Sequence, residues 1–117
     1  MKRSCLAAAV FACLLLVGTA LATPPDSIAV SIDSSSIVTV GIHHPVKSTD
    51  PGHFIKTITV SLNGKTVIVQ SLLSQTDLSW QRTSYLIRDA KKGDKLAVTA
   101  VCSYFGQLSK TITVSGS

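Results

Sequence analysis

Residues 58–70 read ITVSLNGKTVIVQ, and this stretch decides the fold class. Two runs rich in Ile, Val and Thr flank the pair Asn63-Gly64. Both turn residues tolerate the positive φ angles of a two-residue type I′ turn, and this combination is a strong short-range signal for a β-hairpin. The sequence therefore predicts two antiparallel strands, over residues 54–62 and 66–72, joined by a tight turn.

The same period-two alternation of apolar and polar residues recurs along the chain from residue 27 onward. β-Branched side chains dominate these segments, and none has the spacing of an amphipathic helix. On residues 95–104 the alternation directs Cys102 and Tyr104 toward the core, and on residues 54–62 it directs Phe54 inward. We predict an all-β, immunoglobulin-like β-sandwich of about seven antiparallel strands. The other five strands are expected at residues 27–32, 37–42, 83–88, 95–104 and 108–114.

The N-terminus has the pattern of a cleavable secretory signal. Lys2 and Arg3 precede an apolar run from Leu6 to Val17, and the small residues Ala20-Leu21-Ala22 follow it. Residues 1–22 are therefore predicted to be a signal peptide and residues 23–117 a single exported domain, periplasmic or secreted. No second apolar stretch approaches the roughly 20 residues of a membrane span, so none is expected in the exported chain.

The charge distribution argues against two classes of function. The chain has 11 Lys and Arg against 6 acidic residues, and removing Lys2 and Arg3 leaves nine cations spread without a basic run. Nucleic-acid binding is therefore not expected. Every acidic residue is an Asp in a scattered, mostly turn-like position, so the paired carboxylates of a hydrolase are not expected either.

Histidine and cysteine carry the strongest chemical signal. Cys5 and Cys13 leave with the predicted signal peptide, so Cys102 is the single thiol of the exported chain and no internal disulfide can form. His43, His44 and His53 lie within eleven residues, around a loop that contains two Pro and one Gly. Such a loop can turn back and bring the imidazoles at its two ends together.

A metal site follows if Cys102 lies at the same end of the sandwich as this loop. Imidazole and thiolate together suit iron, copper or zinc, whereas a soft thiolate disfavours calcium and magnesium. The alternative is that Cys102 is a small core residue, because Cys is among the residue types most often buried. Spacing alone leaves both interpretations open.

Short motifs between residues 38 and 106 resemble the ferrous-iron domain of superoxide reductases and desulfoferrodoxins. That family has an immunoglobulin-like sandwich with iron bound by four His and one Cys. The matching stretches are His44-Pro45, His53-Phe54-Ile55, Ile58 to Val60, Asn63-Gly64-Lys65, and Cys102 with Gly106 four residues later. Phe105 stands where the family motif Cys-x-x-His-Gly has its histidine.

The resemblance implies a mononuclear iron site and an external electron donor, and a donor set of two His and one Cys suits copper or zinc equally. The matching motifs imply that His44, His53 and Cys102 are metal ligands. His43 is a further candidate ligand. Lys47, on the loop between His44 and His53, is the candidate catalytic residue, because its positive charge would attract the superoxide anion.

A second resemblance covers much the same stretch. The motifs His44-Pro45, His53 to Ile55, Asn63 to Val67 and Lys92 to Lys95 are similar to SoxZ, a subunit of the periplasmic sulfur-oxidation carrier. This similarity implies a metal-free binding subunit that contacts a sulfur-carrier partner, with Cys102 in the core. Homo-oligomerisation stays open under either resemblance.

Overall fold

The computed structural model describes residues 24–115, which form seven β-strands and no helix. The predicted signal peptide, residues 1–22, lies outside the described residues. No helix in the described part of the chain is long and apolar enough to cross a membrane. The strands are β1 (Ser27–Ile32), β2 (Ile37–His43), β3 (Ile55–Leu62), β4 (Lys65–Ser71), β5 (Trp80–Leu86), β6 (Lys95–Cys102) and β7 (Gln107–Thr113).

The strands form two antiparallel sheets, ordered β1-β2-β5 and β4-β3-β6-β7. β4 lies beside β3 because the two-residue turn leaves no length for a crossover to the other sheet. Asn63 and Gly64 have φ angles of 52° and 83°, the left-handed conformations that this turn requires. The predicted immunoglobulin-like β-sandwich of seven antiparallel strands is confirmed.

The core lies between the two sheets and is aliphatic. Alternate residues of the central strands point inward and have no exposed surface, as period-two alternation requires. These fully buried positions are Val38, Val40, Ile42, Ile55, Ile58, Val60, Leu96, Val98 and Ala100.

A β-bulge at the start of β3 changes the predicted inward set. The register with β6 shifts between Ile55 and Thr57, so Ile55 and Ile58 both face the core although they are three residues apart. Lys56 is exposed at the bulge, and Phe54 is only partly buried rather than fully inward. The bulge also places Ile55 directly opposite Cys102.

Two strands, β5 and β6, have bounds that differ from the sequence prediction by more than one residue. β5 begins at Trp80 rather than at residue 83, because Trp80 pairs with His43 at the end of β2. β6 ends at Cys102, where the backbone turns and the Cys102 N–H donates to the Gly106 carbonyl. Tyr104 therefore leaves the alternating pattern and is 51% exposed, contrary to the inward position predicted for it.

Candidate metal centre

Three strand ends bring the candidate ligands together at one end of the sandwich. His44 follows the last residue of β2, and His53 lies two residues before β3. The β2–β3 loop connects these two strand ends, so both imidazoles lie at the same end of the molecule. Cys102 is the last residue of β6, which runs antiparallel to β3, so it ends where β3 begins.

The three side chains form one buried cluster. One ligand atom from each of His44, His53 and Cys102 lies within 4.8 Å of the others. The residues are 0%, 9% and 2% exposed, respectively. The two imidazole rings meet edge to face, with centroids 4.7 Å apart and planes at 89°. Two imidazoles and a thiol in this arrangement could hold a metal ion.

The amide of Gln75 orients the His44 ring. Gln75 lies in the connection between β4 and β5, and its Oε1 is 2.8 Å from His44 Nδ1. The same connection pairs with the backbone around His44, because the His44 N–H donates to the Ser79 carbonyl and the Val46 N–H donates to the Leu78 carbonyl. These bonds position Gln75 beside the cluster.

Tyr104 packs against His53 from the β6–β7 connection. The two rings are nearly parallel, with centroids 4.6 Å apart and 6° between their planes. The Tyr104 hydroxyl donates to the Asp50 carboxylate. This hydrogen bond is the main cause that raises the pKa of Tyr104 above its usual value, with smaller contributions from desolvation and from the charges of Asp50 and Cys102.

Hydrogen bonds hold the residues that follow Cys102 at the end of β6. The Tyr104 N–H donates to Cys102 Sγ at 3.4 Å, and such a donor offsets part of the charge that a metal-bound thiolate carries. Ser103 joins the β6–β7 connection to the histidine loop, because its hydroxyl donates to the Gly52 carbonyl and accepts from the Phe54 N–H. The loops that carry His53 and Cys102 are therefore linked to each other.

His43 lies outside this cluster. Adjacent residues on a strand point to opposite faces of the sheet, so His43 projects away from the core side that its neighbour Ile42 occupies. Its Nδ1 lies 2.6 Å from an Asp26 carboxylate oxygen, and its ring contacts Trp80 at a centroid distance of 4.8 Å.

Lys47 is exposed on the β2–β3 loop and lines a cleft beside the cluster. The cleft has a volume of about 440 Å³, and His53 and Gln75 also line it. Asp50 and Asp77 contribute to the same lining. A small polar molecule in this cleft would contact one imidazole of the cluster and the Lys47 loop.

Sequence reasoning did not identify Gln75 or Tyr104 as parts of the site. Gln75 is one polar residue in a polar connection, and its sequence separation from His44 carries no periodic signal. The alternating pattern of residues 95–104 predicts an inward position for Tyr104. Its position two residues after Cys102 is the available signal, because Cα atoms two positions apart in a chain lie within about 7 Å of each other.

Neither a scan against models of protein families nor a search of curated proteins finds a match to this chain.

Proposed function

We propose that this chain is an exported metal protein that binds one transition-metal ion through His44, His53 and Cys102. The observation that carries the proposal is the convergence of three buried donor atoms within 4.8 Å of one another. The residues come from three separate strand ends, and the fully buried positions of the rest of the core are aliphatic. Packing alone does not favour two imidazoles at such positions, because His is fully buried less often than Ile, Val or Leu.

Iron is the metal we propose first, with copper or zinc as alternatives. A His₂Cys donor set is compatible with all three ions. The preference for iron comes from the resemblance of the motifs around His44, His53 and Cys102 to the superoxide reductase family. The chain contains three histidines, so it cannot supply the four imidazoles of that family by itself. Phe105 is 64% exposed, at the position of one missing ligand.

The proposed activity is the reduction of superoxide. One-electron reduction of superoxide, with two protons, to hydrogen peroxide is the chemistry that ferrous iron would supply when bound here, and an external donor would return the electron. Three protein ligands leave room for a small molecule, as in metal sites that keep a coordination position open. Lys47 in the adjoining cleft would favour an anion by its charge, and Gln75 and Tyr104 would hold the imidazole rings in place.

Metal titration of the exported form tests the binding proposal. We expect one equivalent of Co(II) or Fe(II) per chain and a thiolate-to-metal charge-transfer band. Cys102→Ser should abolish the band and His44→Asn should weaken binding by at least about tenfold, since each removes a ligand. His43→Asn is the matched control, because His43 lies outside the cluster, and it should bind as the unmodified chain does. A protein that binds no metal, or a Cys102→Ser variant with unchanged binding, would overturn the proposal.

A metal-free binding subunit, similar to SoxZ, is the second candidate. The observation that favours it is the apolar exposed surface along the edge strand β4, where Val69 is 63% exposed and Leu73 beyond the strand is 93% exposed. Such side chains at a sheet edge suit contact with another protein. Absence of metal binding together with co-purification of a Cys-bearing partner would support this candidate instead.

A further inference from the structure

The side-chain amide of Gln75 uses its full hydrogen-bonding capacity at the junction of three segments. Its Oε1 accepts from His44 Nδ1 at 2.8 Å and from the Ile55 N–H at 3.2 Å. Its Nε2 donates to the His44 carbonyl at 2.8 Å and to the Asp77 carbonyl at 3.0 Å. One residue therefore links the end of β2, the start of β3 and the β4–β5 connection.

These partners allow only one orientation of the amide. Two of them are backbone carbonyls, which can only accept, and a third is the Ile55 N–H, which can only donate. A flipped amide would point its oxygen at two carbonyls and its NH₂ group at an N–H. Oε1 therefore faces His44, and His44 Nδ1 must be the nitrogen that carries the proton. The lone pair of the neutral ring is then on Nε2.

We propose that Gln75 is a positioning residue that fixes His44 in the tautomer protonated at Nδ1, so that Nε2 is the atom that coordinates metal. The inference rests on the proposed metal-binding function, since only a ligand needs a specified nitrogen. Metal-binding histidines usually donate their second ring N–H to an oxygen acceptor, which sets the ring orientation and raises the basicity of the ligating nitrogen. Gln75 supplies this acceptor for His44.

Two substitutions separate positioning from a merely structural role. Gln75→Glu keeps an oxygen acceptor for Nδ1–H and loses the NH₂ donor, whereas Gln75→Met loses both. Both variants should unfold at lower denaturant than the unmodified chain, and Gln75→Glu should be at least as destabilised because a carboxylate would face two carbonyls. Co(II) affinity should fall roughly 10- to 100-fold in Gln75→Met and only about threefold in Gln75→Glu. If Co(II) affinity falls in proportion to the loss of folding stability in the two variants, the proposal is overturned.

Gln81 provides the matched control. It is a buried glutamine, 5% exposed, and its Oε1 accepts the Thr76 N–H of the same β4–β5 connection. Its hydrogen bonds go to Thr76 and Arg82 and not to a histidine of the cluster. Gln81→Met should lower the stability of the fold but leave Co(II) affinity within about twofold. If Gln81→Met loses as much Co(II) affinity as Gln75→Met, the loss in the Gln75 variant results from a less stable β4–β5 connection and not from the orientation of His44.

The tautomer itself is measurable in the metal-free protein. Long-range ¹H–¹⁵N correlation spectra of the imidazoles should show His44 protonated at Nδ1 in the unmodified chain, and a shift toward the Nε2-protonated form in Gln75→Met. An Nε2-protonated His44 in the unmodified chain, or an unchanged tautomer in Gln75→Met, would overturn the role of Gln75. This readout needs no metal, so it distinguishes failure of the inference from failure of the proposed function.

Discussion

Tyr104 covers His53 with a parallel ring and directs its backbone N–H at the sulfur of Cys102. The ring centroids are 4.6 Å apart, and the N–H···Sγ distance is 3.4 Å. A single residue therefore contacts two of the three candidate ligands. Its hydroxyl is held by Asp50, on the loop that carries His53. The early end of β6 creates this arrangement, because continuing the strand would have placed Tyr104 in the core.

The first prediction concerns this stacked ring. Tyr104→Ala should weaken Co(II) binding, because the His53 ring loses the surface that orients it. An aromatic pair contributes about 0.5–1.5 kcal/mol beyond its buried area, which corresponds to roughly 2- to 12-fold in affinity. Tyr104→Phe keeps the stack and loses only the bond to Asp50, so its affinity should stay within about threefold. Equal affinities of the Ala and Phe variants, measured by cobalt titration, would contradict an orienting role for the ring.

The second prediction concerns stability at high pH. The hydrogen bond to Asp50 raises the pKa of Tyr104, and burial raises the pKa of Tyr85, each above its ordinary value of 10.0. The folded state then holds these protons more tightly than the unfolded state. The contribution of these two phenols to the free energy of unfolding is therefore complete below about pH 10. It is lost as the pH rises through their pKa values in the folded state.

Urea unfolding at about pH 8 and about pH 11 measures this loss. Comparing the single variants Tyr104→Phe and Tyr85→Phe with the unmodified chain isolates the contribution of each phenol. Each variant should lose less stability between the two pH values. A variant that loses as much stability as the unmodified chain would show that its phenol does not contribute.

The third prediction tests the bulge at the start of β3. Ile55 has no exposed surface, whereas the adjacent Lys56 is exposed. Ile55→Ala should lower the free energy of unfolding by about 2–5 kcal/mol because it creates a cavity in the core. Lys56→Ala, the control, should change it by less than about 0.5 kcal/mol. Denaturant unfolding gives both values, and similar values for the two variants would contradict the observed register.

Local pattern predicted most of the fold, because the strands alternate and the turn at Asn63-Gly64 has a specific chemistry. Spacing alone left the metal site open, and the choice of His44, His53 and Cys102 as ligands came from the resemblance of their motifs to the superoxide reductase family. The bulge at Ile55 was not predictable, because it is a register shift against β6, whose paired residue Cys102 is 47 positions later in the chain. Gln75 was not predictable for a related reason, because its contacts depend on how the β4–β5 connection packs on the histidine loop.

The fourth prediction concerns Lys47 and access to the site. Lys47 lines the cleft that reaches His53, together with Asp50 and Asp77. The ammonium group of Lys47 therefore supplies positive charge to a cleft that also contains two carboxylates. Lys47→Met should weaken the binding of azide to the cobalt-loaded protein. A single exposed charge at short range contributes about 1 kcal/mol in water, so the expected loss is roughly two- to fivefold.

Salt dependence separates this charge effect from a change in the shape of the cleft. Added salt screens an exposed charge, so the difference in azide affinity between the unmodified chain and Lys47→Met should shrink as the ionic strength rises toward about 1 M. Lys65→Met is the matched control, because Lys65 lies at the hairpin, at the other end of β3, and should leave azide binding unchanged at every salt concentration. A loss in Lys47→Met that persists at high salt would assign the effect to the loop backbone, since screening acts on charge and not on steric fit.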